Sequence, residues 1–583
     1  MSFTEKEYDA KHSKPASVDE AVGDFIEINE EAAKIPQRYN GFLDSFTAAE
    51  DVSLGIDPTL PEIDKLAIRT KKHPVLINSS YAKILSVAGW MGTGFLLVSG
   101  IPLRVAGPVG MLLSVIAMGT LVQTSVQAIG ELSVSYPNSG AFIRYGSQFV
   151  CPSWGFTMAW NYALTYLVMF PLELYASSII IQHWDQKTNP AIYILVLYVA
   201  MVFFCMFGFK GYSEWELFLG IIKIIAVVGF SILAIVIICG GAPKGGYIGA
   251  DYWHSPGVFA HSFEGFCFSF STVAFIFARA ELSGVYGAAS PNPRKRLPKA
   301  IKQIFWRTVL IYIVPFLLFS FVVKFNDKRL LGAKSLKASS SAFVIAIANG
   351  GVKGLPSVFN AVCLISIFNL GIQSISMSAN NLAQMGVLGY APKYFAYVDK
   401  AGRPLAGIVV QCVFGTLGFS RAKTVGDAVV DYCLFNSGAT SIFTWMAVNV
   451  ALLRFRRALS VQGRKVSDLP YASKFGVLGA IYGSVIGFLM LFAYFWSCLF
   501  PIGDKPSPDI FFKFALVFLV NFVTYVGHRI WTGNYKLFIR AKDIDLDFGK
   551  KEVDLDYIKQ EMEFEKERDS KMPVYKKLYY FWC

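Results

Sequence analysis

From Gly354 to Pro392 the chain runs without one Asp, Glu, Lys or Arg, and charge-free apolar runs recur from Ile84 to Gly503. A charged side chain at the centre of a bilayer costs at least about 2.5 kcal/mol, whereas a soluble surface needs charge to stay wet. The pattern therefore identifies lipid as the solvent for most of the chain. Apolar segments fall near 84–103, 108–130, 153–182, 190–209, 215–240, 262–288, 304–323, 355–386, 404–420, 430–453, 475–500 and 509–531. Each is near the roughly twenty residues that cross about 30 Å of hydrocarbon as a helix. They predict an all-α integral membrane protein with twelve transmembrane helices. Two segments depart from ideal hydropathy: the first carries Gly89, Gly92, Gly94 and Gly100, and the sixth contains Arg279 and Glu281.

The same pattern divides the chain. Residues 1–82 are polar and acidic with scattered lysines such as Lys6, Lys11 and Lys14, and they lack sustained apolar periodicity. They read as a disordered N-terminal tail. Residues 83–532 form the membrane domain, and 533–583 a C-terminal tail that begins basic and becomes charged and periodic from Asp543. Met1 to Pro74 lacks the apolar core of a cleavable signal, so the first membrane helix is expected to serve as targeting signal. Basic clusters follow segment six (Arg294, Lys295, Arg296, Lys299, Lys302) and segment ten (Arg454, Arg456, Arg457, Arg464, Lys465). With twelve spans both clusters fall on one side, which puts both termini in the cytoplasm. The basic stretch from Lys324 to Lys337 counts against this orientation.

Composition agrees with a membrane protein: 54% hydrophobic and 16% charged residues, against about 25% charged in soluble domains. The net charge of +13 sits on an acidic N-terminus, so the excess lies in the membrane region and its loops, and no nucleic-acid partner is expected. The nine cysteines form no CxxC pair, and those such as Cys205, Cys239, Cys363 and Cys412 lie inside apolar runs, where they read as small hydrophobes. The six histidines form no HExxH pair, and there is neither a phosphate loop nor a nucleophile elbow. No enzyme, metal site, cofactor or ATP-driven pump is expected. The chain ends in Phe581-Trp582-Cys583, and a terminal cysteine beside interfacial aromatics is a candidate for S-palmitoylation.

A binding site inside a membrane needs places where helical backbone is interrupted and its polar groups are free to meet a solute. Gly92-Thr93-Gly94 offers one, either as a break whose following half-helix meets a carboxylate or as plain close helix packing. Glu173 and Glu281 are acids in or near apolar spans, the kind of group that serves as a proton relay or as a fixed structural acid. Arg279 cannot shed its proton, so it must pair with an acid, reach the headgroups or face a polar cavity, and Glu281 is a candidate partner. A fixed positive charge there would oppose a cationic substrate.

In order along the chain, Gly92-Thr93-Gly94, Gly107-Pro108, Gly130-Glu131-Leu132, Tyr136-Pro137, Ser139-Gly140, Trp160-Asn161-Tyr162, Pro171-Leu172-Glu173, Asn292-Pro293-Arg294-Lys295, Ala391-Pro392-Lys393 and Leu469-Pro470-Tyr471 resemble the signature blocks of fungal amino-acid permeases. These belong to the amino acid–polyamine–organocation superfamily, and the general-type permeases are resembled most. Ala541-Lys542-Asp543-Ile544-Asp545 and Phe581-Trp582-Cys583 look like their C-terminal end. The resemblance covers about residues 75 to 583.

It implies two inverted five-helix repeats followed by two further helices, with helices one and six broken near the midplane. Gly92, Thr93 and Gly94 would hold a substrate carboxylate, and carbonyls around Phe277 and Ala278 would meet its ammonium. Glu281 would be the acid of the family's Gly-Thr-Glu motif, Cys583 the lipidated terminus, and the N-terminal lysines ubiquitin acceptors served by ligase adaptors. Three blocks depart from the family pattern: Gly-Thr-Glu reads Arg279-Ala280-Glu281, Gly-Glu-Ala reads Ala288-Ala289-Ser290, and the Ser-Arg pair of span eight reads Ala379-Asn380. The leading expectation is a plasma-membrane amino-acid importer driven by protons. A sensor that binds amino acids without carrying them, and a diverged paralogue of low activity, are the other two readings.

Overall fold

The computed structural model describes Phe46, Lys65 and residues 91–136, 141–206, 208–243, 246–281, 305–306, 308–331, 341–422, 426–503, 505–548 and 573. The rest of the N-terminal tail, the basic cluster at 294–302, Ala288-Ala289-Ser290 and Cys583 lie outside them. The described chain is helical, with no strand. After Met91 and Gly92 come α1 (Thr93–Leu96), α2 (Gly100–Ser135), α3 (Ala141–Tyr145), α4 (Pro152–Ile181), α5 (Pro190–Cys205), α6 (Gly208–Ile238) and α7 (Ser262–Phe277). A π-turn at Thr308–Ile313 leads into α8 (Val314–Val322), followed by α9 (Ala342–Asn349), α10 (Leu355–Val387), α11 (Leu405–Gly415), α12 (Gly426–Val461), α13 (Gly476–Leu499) and α14 (Pro508–Thr532). Seven of the described helices are long and apolar enough to cross a membrane, and four apolar segments are shorter.

Local chemistry sets many of the helix ends. Proline occupies the first turn of α4, α5, α10 and α14, where its missing N–H costs nothing. Asn189 Oδ1 accepts from the Ala191 amide at 3.0 Å, and Ser507 Oγ from the Ile510 amide at 3.3 Å, so each caps a helix start. Within α2, Gly107 adopts φ +76° and turns the chain before Pro108. A Cβ at Gly107 would lie 2.7 Å from Val258 O and from Ala260 N. The 258–260 segment is therefore laid into that corner, with Val109 N donating to Val258 O at 3.1 Å. This bend separates the first two expected spans, which sequence hydropathy alone divides a few residues earlier.

The molecule is layered by burial. In α4, 83% of the most apolar window is buried, against 17% in α14 and 28% in α13. The outer helices present Leu478, Phe488, Phe492 and Phe522, side chains whose exposure makes sense only against lipid. The inner helices α2, α4, α7, α10 and α12 pack on one another. Beyond α14 the chain folds back: Ile544 and Leu546 are buried, Tyr136 donates to Leu546 O at 2.7 Å, and Arg464 pairs with Asp547 at 2.5 Å. Residues up to Phe548 thus join the helical domain by packing against the ends of α2 and α12.

Candidate functional site

The start of one helix and the end of another meet in the core. Gly92 is extended (φ −118°, ψ −161°) and α1 begins only at Thr93. From the other side, α7 stops at Phe277, Ala278 takes φ −50° and ψ 144°, and Arg279 takes φ +76°. The approach between them is tight because Gly94 has no side chain: a Cβ there would lie 2.7 Å from Phe275 O and 2.9 Å from Ile276 Cα. Phe277 is anchored by stacking on Tyr312 at a centroid distance of 4.4 Å. Gly92, Thr93, Gly94, Phe277, Ala278 and Arg279, singled out from sequence, therefore lie together.

The backbone of Arg279 is in the left-handed region that glycine favours, where another residue costs on the order of 1–3 kcal/mol. The resemblance places glycine at this position. The chain has kept the glycine-type bend and set an arginine on it.

Glu173 reaches the same place from α4. Pro171, inside that helix, lacks the N–H that would bond the carbonyl four residues back. Gln411 of α11 supplies the missing donor, its Nε2 lying 3.2 Å from Leu167 O and 3.2 Å from Tyr166 O. The interrupted helix is thereby satisfied without water, as a buried backbone requires. One helical step on, the Glu173 side chain is fully buried, and its Oε2 accepts a short hydrogen bond from Thr93 Oγ1.

Arg279 closes this cluster. Its guanidinium Nη2 lies 3.5 Å from Glu173 Oε1, donates to Ser374 Oγ of α10 at 3.2 Å, and lies 3.3 Å from Met169 Sδ. Its Nη1 is 3.3 Å from where a Cβ of Gly92 would stand. The partner expected from sequence spacing, Glu281, is not the one used: the guanidinium turns back to Glu173. The reason is the φ +76° bend, which sends Arg279 and Glu281 to different neighbours. Glu281 Oε2 accepts from Trp445 Nε1 of α12 at 3.1 Å, and Oε1 faces Tyr166 OH at 3.5 Å. The two acids so occupy separate polar nests on the two sides of the second break. Glu173 stands at the meeting point of α1, α4 and the Arg279 bend.

Sequence reading missed Met169, Ser374, Tyr166 and Trp445. Ser374 had a signal, since it stands among Asn369, Gln373, Ser376 and Ser378 in a charge-free run. Trp445 and Tyr166 had none, because an aromatic in a membrane helix is unremarkable until its polar tip is seen to meet a buried acid. Of the family departures that are described, Ala379 is fully buried and packs against α11, where a Cβ on Gly407 would fall 2.6 Å from Ala379 Cα. Its small size suits that close crossing.

Comparison with known proteins fits this architecture. The amino acid permease family model matches residues 82–541. The chain is 43% identical to the general amino-acid permease GAP2 of Candida albicans over 99% of its own length and 100% of that protein. It is 40% identical to the general amino-acid permease GAP1 of Saccharomyces cerevisiae, covering 94% of this chain and 92% of the other. A histidine permease of Saccharomyces cerevisiae is 40% identical, over 86% of this chain and 84% of its own length. With its blocks in order and its similarity end to end, the chain belongs to the amino acid permease family.

Proposed function

We propose that the chain carries amino acids across the plasma membrane together with protons, by alternating access around the two helix breaks. In this reading it has twelve spans, ten of them in two inverted repeats, with both termini in the cytoplasm. Backbone groups of Gly92, Thr93 and Gly94 take the substrate carboxylate, and the carbonyls of Phe277 and Ala278 take its ammonium. Glu173 and Glu281 are the proton-responsive groups, Cys583 is the lipidated terminus, and the N-terminal lysines answer to ubiquitin-ligase adaptors.

The observation that carries the reading is the contact between Gly94 and the end of α7 beside the buried Thr93–Glu173–Arg279 chain. A polar cluster in the membrane core is costly, and a carrier gives it a use: each of its members sits on a different element, so relative movement of those elements rearranges the cluster. The test is uptake of a panel of labelled amino acids in cells lacking their other permeases, with and without a proton uncoupler. Accumulation that the uncoupler abolishes is expected. Absence of uptake for every amino acid, with the protein present at the cell surface, would overturn the proposal in favour of a sensor.

A further inference from the structure

We propose that Arg279 makes this an acidic-amino-acid site: the side-chain carboxylate of aspartate or glutamate docks on its guanidinium at the unused Nε–H. The inference rests on the carrier reading above and names its substrate class.

The guanidinium is buried, with about 5% exposure, yet unsaturated. Its Nε has no hydrogen-bond partner among the described residues, and its ion pair with Glu173 is a single contact at 3.5 Å. The other two buried arginine pairs among the described residues are closed. Arg456 grips Glu131 through Nε at 2.5 Å and Nη2 at 2.8 Å, and Arg403 grips Asp399 through Nε at 2.7 Å while its Nη1 bonds Met206 O at 2.9 Å. Arginine binds carboxylates best through two parallel N–H groups, and Arg279 alone of these three keeps its Nε–H unused. A buried guanidinium with an unpartnered N–H offers a donor that suits an anion.

Position makes the anion a substrate group. Nη1 stands against Gly92 and Nη2 against Ser374, so the guanidinium lies at the first break, beside the backbone assigned to the substrate. When Arg279 turns to a second carboxylate, Glu173 keeps its hydrogen bond from Thr93 and the electrostatic influence of buried Lys223 on α6. A lysine or arginine substrate would meet a fixed positive charge at close range. Glutamine and asparagine, which match the acids in shape, would offer one carbonyl to a charged fork and leave the amide N–H groups facing other donors.

The experiment compares uptake of labelled glutamate, aspartate, glutamine and asparagine by the full chain, with Arg279→Gly, Arg279→Gln and Arg279→Lys beside it and surface abundance measured for each. The wild type is expected to favour each acid over its amide by at least about tenfold, a floor well below the roughly 10⁴–10⁵ by which a site built to hydrogen-bond one group rejects an analogue lacking it. Arg279→Gly and Arg279→Gln should erase or invert that ratio, and Arg279→Lys should shrink it. If a variant fails to reach the surface, thermal shifts of the purified wild type by glutamate against glutamine give the same comparison. Equal handling of acids and amides, or an unchanged ratio in Arg279→Gly, overturns the inference while leaving amino-acid carriage intact; that result would assign the guanidinium to the α-carboxylate or to structure. No uptake and no thermal shift with any amino acid would overturn the carrier reading as well.

Discussion

Arg456 and Arg279 are both buried arginines facing a fully buried glutamate, yet they are built to opposite ends. At Arg456 the fork is bidentate, and the Ser473 amide adds a third donor to Glu131 at 2.7 Å. The arginine rises from regular α12 and clamps it to α2. At Arg279 the backbone is bent against its preference, the ion pair is long, and one donor is unused. A closed pair has one arrangement and suits a joint that must hold. An open pair has room for a third party and suits a joint that must exchange partners.

The largest effect is expected where the pair is closed. Arg456→Ala leaves Glu131 buried with its charge uncompensated, which should destabilise by about 3–5 kcal/mol. The melting temperature of the purified protein and its surface abundance should both fall sharply. Arg456→Met combined with Glu131→Leu removes both charges and should recover most of the loss. If the single variant melts like the wild type, the contrast between a structural and an exchangeable pair fails at its first step.

Gly94→Ala probes the other side of the comparison, the place where the two breaks touch. A Cβ would stand 2.7 Å from Phe275 O, and a carbonyl in a helix cannot swing aside as a side-chain tip does. Overpacking of this kind costs about 1–3 kcal/mol. Uptake should drop far more than abundance, because the added methyl wedges α1 away from the end of α7. Full uptake by Gly94→Ala would mean that the breaks separate freely and that their contact is incidental.

Much of this was legible in the sequence, and what was not has a physical cause. Charge-free runs marked the helices because lipid tolerates few charges along a span. Gly92-Thr93-Gly94 marked a helix start, Gly92 being extended and the helix beginning at Thr93, because glycine is poor at holding a helix and good at leaving one. The partner of Arg279 was not legible. Nearness in sequence pointed to Glu281, whereas the contact made depends on the φ reversal at Arg279 itself. Hydropathy reports what each residue tolerates, and the pairing of two buried charges on different elements is set by backbone angles it does not see. The C-terminal segment was misleading for a similar reason: its charged periodicity hides Ile544 and Leu546, the two side chains that tie it down.

The backbone difference between the two arginines can be read by exchanging each for alanine and for glycine. At position 279 glycine should be the more stable replacement by about 1–2 kcal/mol, since alanine keeps the left-handed strain and glycine does not. At position 456, inside regular helix, the order should reverse, with alanine better by about 1 kcal/mol. Melting temperatures of the four variants settle the sign at each site. The same order at both positions would mean that Arg279 is not held in a glycine-type conformation.

The finest test separates the hydrogen bond at Glu173 from its ion pair. Thr93→Val keeps the shape of the side chain and removes the hydroxyl that donates to Glu173 Oε2, whereas Thr93→Ser keeps the hydroxyl and removes a methyl. A net loss of about 1 kcal/mol is expected for valine, with serine closer to wild type. The consequence for exchange runs in the same direction as the consequence for stability. Without Thr93, Glu173 depends more on Arg279, so the guanidinium is held back from any arriving carboxylate. Thr93→Val should therefore raise the half-saturating concentration of the favoured substrate severalfold, while Thr93→Ser leaves it near the wild-type value. Were both variants to lose the same stability and affinity, the methyl rather than the hydroxyl would be what the site needs, and Glu173 would be held by Arg279 and packing alone.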